Sequence, residues 1–363
     1  MTINKRITDL LIIPGIILLC VCCGCEKKEN NGAGDNGDDI EDTINYYTNP
    51  VFTPSCADPT IIKDADGYFY CFSTEDNWGD RVHLTPIIRS KDLVNWQFVR
   101  DAFSEKPDWK SGSLWAPDIV YYDNKYFLFY SLSLWGDPNP GIGYAESESI
   151  QGPYTDQGKL FDSEQVGVAN SIDQFFFKDD NERIYITWGS FNGIYLNELE
   201  YSGGSFSLSG DKTRIAGNFY EASLIHKRNG YYYLFLSNGS CCDGANSTYN
   251  VRVGRSENLS GPYMDESGNS LLSSSVIAGN QVVKSNQNSD GFAGPGHNAE
   301  IVTDDEGTNW FIYHAIENDN PYLPGGATRR PLLIDPLIWV NDWPLVNEYQ
   351  PSVDEQTAPV FYE

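Results

Sequence analysis

One phrase, written five times, limits the folds open to this 363-residue chain. "ADPTIIKDADGYFYCFST" starts at Ala57, "APDIVYYDNKYFLFYS" at Ala116 and "IDQFFFKDDNERIYITWGS" at Ile172. "YEASLIHKRNGYYYLFLS" follows from Tyr220 and "GHNAEIVTDDEGTNWFIYHA" from Gly296. Each copy sets a polar residue before a short apolar strand, a turn rich in Asp, Asn or Gly, and an aromatic strand, which reads as a hairpin. Between copies, "PIIRSKDLVNWQFV", "IGYAESESIQGPYTD", "IYLNELEYSGGSFSL" and "VRVGRSENLSGPYMD" supply one or two strands more, and two of these share the ending SxxxxGPYxD. A β-sandwich also has many short strands, but not five matched phrases at blade-sized intervals. The repeat predicts an all-β, five-bladed β-propeller. Glycine and proline are frequent, 14% of residues are aromatic, and runs of helical periodicity are hard to find.

In a propeller the first strand of each blade lies beside the central axis, so one position of the repeat points at one shared cavity. Aligning the phrases puts Asp58, Asp118, Asp173, Glu221 and Asn298 at that position, with His297 beside the last. A carboxylate is costly to bury singly, so a ring of four implies chemistry or a ligand. Two carboxyls across a polar cleft suit glycosidic hydrolysis, one accepting a proton from water and one donating to the leaving oxygen. Glu221, between Tyr220 and small apolar residues, is the candidate acid, because apolar surroundings keep a carboxyl protonated. Asp58, stiffened by Pro59, is the candidate base. The formal net charge of −27 argues against nucleic acid as a partner, since phosphate binding needs a clustered basic field. It is compatible with a neutral sugar.

The segments "ADPTII", "WAPDI", "SID", "YEAS", "GPGHN" and "RRPLLIDPLIW…WP" occur in the order found in family 43 glycoside hydrolases, and the chain resembles that family from about Asn45 to Glu363. The resemblance implies an inverting enzyme acting on arabinan, arabinoxylan or xylo-oligosaccharides of plant cell walls. It implies Asp58 as general base, Glu221 as general acid and Asp173 as the residue that raises and orients the acid. Asp118 then lines the sugar pocket with Trp115, whose ring faces the sugar. Where the family often has "IDP", this chain has Gln174 after Asp173. His297 matches the histidine that helps hold a hydrated calcium or sodium ion in arabinan-acting members; no organic cofactor is implied. Arg329 or Arg330 is placed to reach a sugar hydroxyl or a catalytic carboxylate, and Arg329 is preferred. The stretch "LSNGSCCDGANSTYNVRVGRSENLSGPY" resembles the matching segment of endo-1,5-α-L-arabinanases, which favours α-L-arabinofuranosyl bonds, endo or exo. The rivals are a β-xylosidase or arabinoxylan-acting arabinofuranosidase of the same family, a retaining fructan-type propeller and a non-catalytic sugar-binding propeller.

Residues 1–25 read as a lipoprotein signal: "NKR", an apolar run, then Gly24-Cys25 followed by charge. Lipid on Cys25 is the expected membrane link, at an outer membrane or cell surface or facing the periplasm of a Gram-negative-type bacterium. Residues 26–45 read as a flexible acidic tether, and 46–363 as the catalytic propeller, a monomer by default. Cys56 and Cys71 flank a hairpin and either pair or stay reduced; Cys241 and Cys242 form a vicinal disulfide or remain thiols.

Overall fold

A computed structural model describes residues 45–362 except Gln287 and Ser289. The signal and almost all of the tether lie outside the described residues. The expected five-bladed propeller is what forms; the first four repeated phrases supply the first two strands of their blades, and the fifth begins at the end of its blade's first strand and supplies the second. The first strands are Thr60–Lys63, Ser113–Tyr122, Phe175–Lys178, Tyr220–Arg228 and Phe292–Gly296. Blades I to IV are four-stranded, with strands paired in chain order. Blade V adds the two-residue strand Val302–Thr303 to the same pattern. All neighbouring strands are antiparallel, as short turns require.

The linking pieces become third and fourth strands. Their shared ending is one device used twice: Tyr154 donates to Ile150 O at 2.9 Å, and Tyr263 to Leu259 O at 2.7 Å. The aromatic second strands are buried on both faces, because each blade is covered by its neighbours. The core is accordingly interblade. Tyr70, Phe72, Leu128 and Tyr130 join blades I and II, while Ile61, Phe69, Trp310 and Ile334 join I and V.

Blade V keeps all its strands consecutive, so the ring is closed by the N-terminal segment lying against it. Tyr46–Tyr47 pairs antiparallel with Gln356–Thr357. Val51 N donates to Leu332 O at 2.9 Å and Leu332 N to Phe52 O at 3.0 Å. Asn49 spans the backbone of Ile334, accepting from its N–H at 3.0 Å and donating to its carbonyl at 2.9 Å.

Candidate active site

The first strands open into an axial cleft of 1380 Å³ bordered by Asp58, Trp115, Asp173, Glu221, His297 and Arg330. At the inner end of each blade one residue has left-handed backbone: Asp58 (φ 54°), Ala116 (φ 44°), Asp173 (φ 58°), Ala222 (φ 53°) and His297 (φ 46°). These five are the equivalent positions. The register read from sequence was right at Asp58 and Asp173 and needs correction elsewhere. Asp118 lies two residues further down its strand, past a bulge between Trp115 and Asp118. It does not border the cleft: its carboxylate accepts from Phe176 N and from Thr60 Oγ1, and it shares a small cavity below with Glu300. Glu221 precedes the left-handed residue, and the irregularity between Glu221 and Leu224 still leaves its carboxyl in the cleft. Tyr220, its sequence neighbour, turns away and donates to Ala278 O at 2.9 Å.

Asp58 sits in a cationic nest. Arg330 Nη1 is 2.7 Å from Oδ1, Thr74 Oγ1 donates to Oδ2 at 2.6 Å, and His297 Nδ1 is 3.4 Å from Oδ1. Burial alone would raise this carboxyl. Arg330 and then His297 outweigh burial and hold it well below the ordinary aspartate value, so it is an ionised acceptor at neutral pH. Glu221 is driven the other way. Burial raises it and the Asp58 charge adds to this, against donation from Ser190 Oγ at 2.6 Å and from the Tyr249 hydroxyl. Asp173 is pushed up to about 8 by burial and then by the Glu221 charge, with His297 opposing. Two buried carboxyls that repel each other retain a proton near neutrality. Asp58 can therefore take a proton from water and Glu221 can give one to a leaving oxygen.

Arg329 is not the arginine that reaches the site. Its guanidinium pairs with Glu317, whereas Arg330 borders the cleft and pairs with Asp58. Trp115 does line the cleft, half-buried and edge-on to Trp135 at 6.5 Å. Cys241 and Cys242 are joined as a vicinal disulfide on the cleft wall, whereas Cys56 and Cys71 are buried free thiols with sulfurs 3.6 Å apart. Asn298 Oδ1 is buried without a hydrogen-bond partner.

The family model described as "Glycosyl hydrolases family 43" matches residues 47–344. The chain belongs to glycosyl hydrolase family 43. Among its relatives is an extracellular endo-α-(1→5)-L-arabinanase of Bacillus subtilis, 34% identical over 303 residues, covering 79% of this chain and 86% of that protein. An extracellular exo-α-(1→5)-L-arabinofuranosidase of Cellvibrio japonicus is 30% identical, over 80% of this chain and 86% of its own. The structure of a Cellvibrio cellulosa α-L-arabinanase complexed with arabinohexaose superposes with a TM-score of 0.69 at 29% identity, covering 82% of this chain and 98% of that one.

Within the family 43 frame, Gln174 shows what stands in for the absent proline. Its amide donates to Ala116 O and accepts from Ser131 Oγ at 2.9 Å, tying blades II and III together beside Asp173. Sequence reasoning passed over Thr74, Ser190, Tyr249 and His314. A signal existed for two of them: the aromatic strands end in "FST" and "WGS", and four of the five copies carry a Ser or Thr at that end.

Proposed function

We propose that this chain hydrolyses α-L-arabinofuranosyl bonds of arabinan with inversion, Asp58 acting as general base, Glu221 as general acid and Asp173 as the neighbour that keeps the acid protonated. The observation that carries the reading is the opposite displacement of two buried carboxyls in one cleft. Arg330 and His297 keep Asp58 ionised, while burial raises both Glu221 and its neighbour Asp173, so that the pair holds a proton. In an inverting mechanism the base activates water on the face of the sugar opposite the acid, and the family relatives named for arabinan supply the substrate class. Trp115 offers its ring to a sugar face.

A hydrated calcium or sodium ion near His297 is part of the proposal. Among the described residues no three His, Cys, Asp or Glu side chains are grouped to chelate an ion directly. The partnerless Asn298 Oδ1 beside His297, in the small cavity with Asp118 and Glu300, nonetheless suits a hard cation holding some of its water. His297 and Asn298 would hold it, and its charge would offset the surrounding carboxylates. Lipid on Cys25 and a location at an outer membrane or cell surface remain the reading of residues 1–25.

The test uses protein lacking residues 1–25, with linear 1,5-α-L-arabinan, arabinoxylan and xylo-oligosaccharides as substrates and Glu221→Gln as control. Short arabino-oligosaccharides that vanish with Glu221→Gln indicate endo action, and arabinose alone indicates exo action. Xylose release would move the substrate to xylan, and no product from any of them would defeat the reading.

A further inference from the structure

Four of the five aromatic second strands end in a side chain that reaches the next blade. Thr74 Oγ1 accepts the Ala116 N–H at 2.8 Å, Ser131 Oγ the Asp173 N–H at 3.1 Å and Ser237 Oγ the His297 N–H at 2.9 Å. The equivalent place in blade III is Gly189, where a Cβ would lie 2.1 Å from Gly193 O. There the Ala222 N–H bonds to the Asp173 carboxylate instead. The last place is His314, whose Nδ1 accepts the Asp58 N–H at 3.0 Å. The five amides so held belong to the five left-handed residues at the axis. That conformation costs a residue with a Cβ about 1–2 kcal/mol and persists only where its surroundings impose it. The amide latches are such an imposition, and they run from blade to blade around the ring.

We propose that His314 is a positioning residue for the reaction: a neutral imidazole, protonated on Nε2, that fixes the Asp58 backbone and thereby aims the base into the cleft. The inference rests on the role proposed above for Asp58. The tautomer follows from chemistry, since a backbone N–H only donates and Nδ1 must therefore offer its lone pair. Nδ1 stands 3.5 Å from Asp58 Oδ1, too far for a hydrogen bond, so its partner is the amide and not the carboxylate. The imidazole is fully buried, its Nε2 has no hydrogen-bond partner, and it stacks on Tyr249 at 6.0 Å and 9°. An unpartnered buried N–H is costly. A hydrophobic side chain would avoid that cost and fill the space, so the retained imidazole points to a need for its acceptor. Tyr249 hydrogen-bonds Glu221, which places the latch on the base in contact with a partner of the acid.

The test compares His314→Ala, which removes the acceptor, with His314→Asn, whose Oδ1 takes the place of Nδ1. With linear arabinan, His314→Ala is expected to lose about 100-fold in kcat with KM within about twofold, because misplacing a reacting group is paid in rate and not in binding. His314→Asn is expected to recover to within about fivefold of the native kcat. In parallel, hydrogen exchange of the Asp58 amide should speed up at least about tenfold in His314→Ala and stay near native in His314→Asn. Equal losses in the two variants would mean the imidazole only fills space, and native kcat in His314→Ala would end the proposal. Should His314→Ala fail to fold, Ser131→Ala removes the same latch from Asp173 with little change in volume. About a tenfold loss in kcat, restored by Ser131→Thr, is then expected, and an unchanged kcat would overturn the latch as a positioning device. If the native protein releases nothing from arabinan, the substrate assignment fails and the exchange comparison decides the latch alone.

Discussion

A carboxyl that must accept a proton and one that must donate it need different surroundings, and Asp58 and Glu221 have them within one cleft. The Asp58 environment is set chiefly by Arg330. Replacing Arg330 with Met removes the cation that outweighs burial, so the Asp58 pKa rises and the base is protonated at higher pH. The acidic limb of the kcat/KM profile should move up by about one to two units, while Arg329→Met, which breaks only the pair with Glu317, leaves it in place. The alkaline limb belongs to the Glu221–Asp173 pair and can be pushed both ways. Ser190 stabilises the ionised acid by donating at 2.6 Å, so Ser190→Ala should carry this limb to higher pH. Asp173→Asn removes the carboxyl with which Glu221 shares a proton, so the repulsion that delays deprotonation of the pair is lost and the limb moves to lower pH. Limbs that shift together, or not at all, would show that the titrating groups lie elsewhere.

At the level of the strand, hydrophobic pattern announces a hairpin but not how its end is bent. Asp58, Asp118 and Asp173 look equivalent as letters, each closing a polar-to-apolar step. Left-handed backbone at Ala116 and the bulge after Trp115 set Asp118 two residues deeper, and alanine carries no sign of φ. The two arginines were undecidable for a similar reason: they lie outside the strand that begins at Leu332, where no hydrophobic pattern says which of them faces the cleft. The glycines of "GPGHN" permit a close approach of blade IV. A Cβ on Gly296 would lie 2.0 Å from the Tyr249 ring, and one on Gly294 2.7 Å from Ser247 Cβ. Gly296→Ala must therefore displace a buried tyrosine that touches both His314 and Glu221. We expect a loss of about 3 kcal/mol in unfolding free energy, together with most of the activity. Denaturant unfolding and turnover, measured on the same sample, check whether the two losses occur together.

Five wedges packed side by side make a ring only if the last is fastened to the first, and here the fastening and Asp58, the base proposed above, lie on one short segment. Asn45 O accepts from Ala358 N, Tyr47 donates to Ile334 O, Asn49 brackets Ile334, and Cys56 N donates to Arg330 O at 2.8 Å, two residues before Asp58. The strand of blade V held by this segment also delivers Arg330 to the base. Closing the ring and assembling the Asp58–Arg330 pair are thus one event. A chain beginning at Asn45 keeps every bond of the fastening, while one beginning at Thr53 loses the strand, Tyr47, Asn49 and the ladder to Leu332. With each lost bond worth about 1 kcal/mol, the shorter chain should melt roughly 5–15 °C lower. Asn49→Ala, which removes the bracket on Ile334 and the bonds to Ser352 Oγ and Asp335 Oδ2 but leaves the strand and the ladder to Leu332, should fall between them. Because the base is held by the same segment, kcat at temperatures well below melting should fall in the same order. Thermal unfolding of the three proteins beside their turnover of arabinan separates the alternatives. A lower melting point with unchanged kcat would mean that the fastening holds the ring without aligning the base, and equal melting points would mean that the interblade core closes the ring unaided.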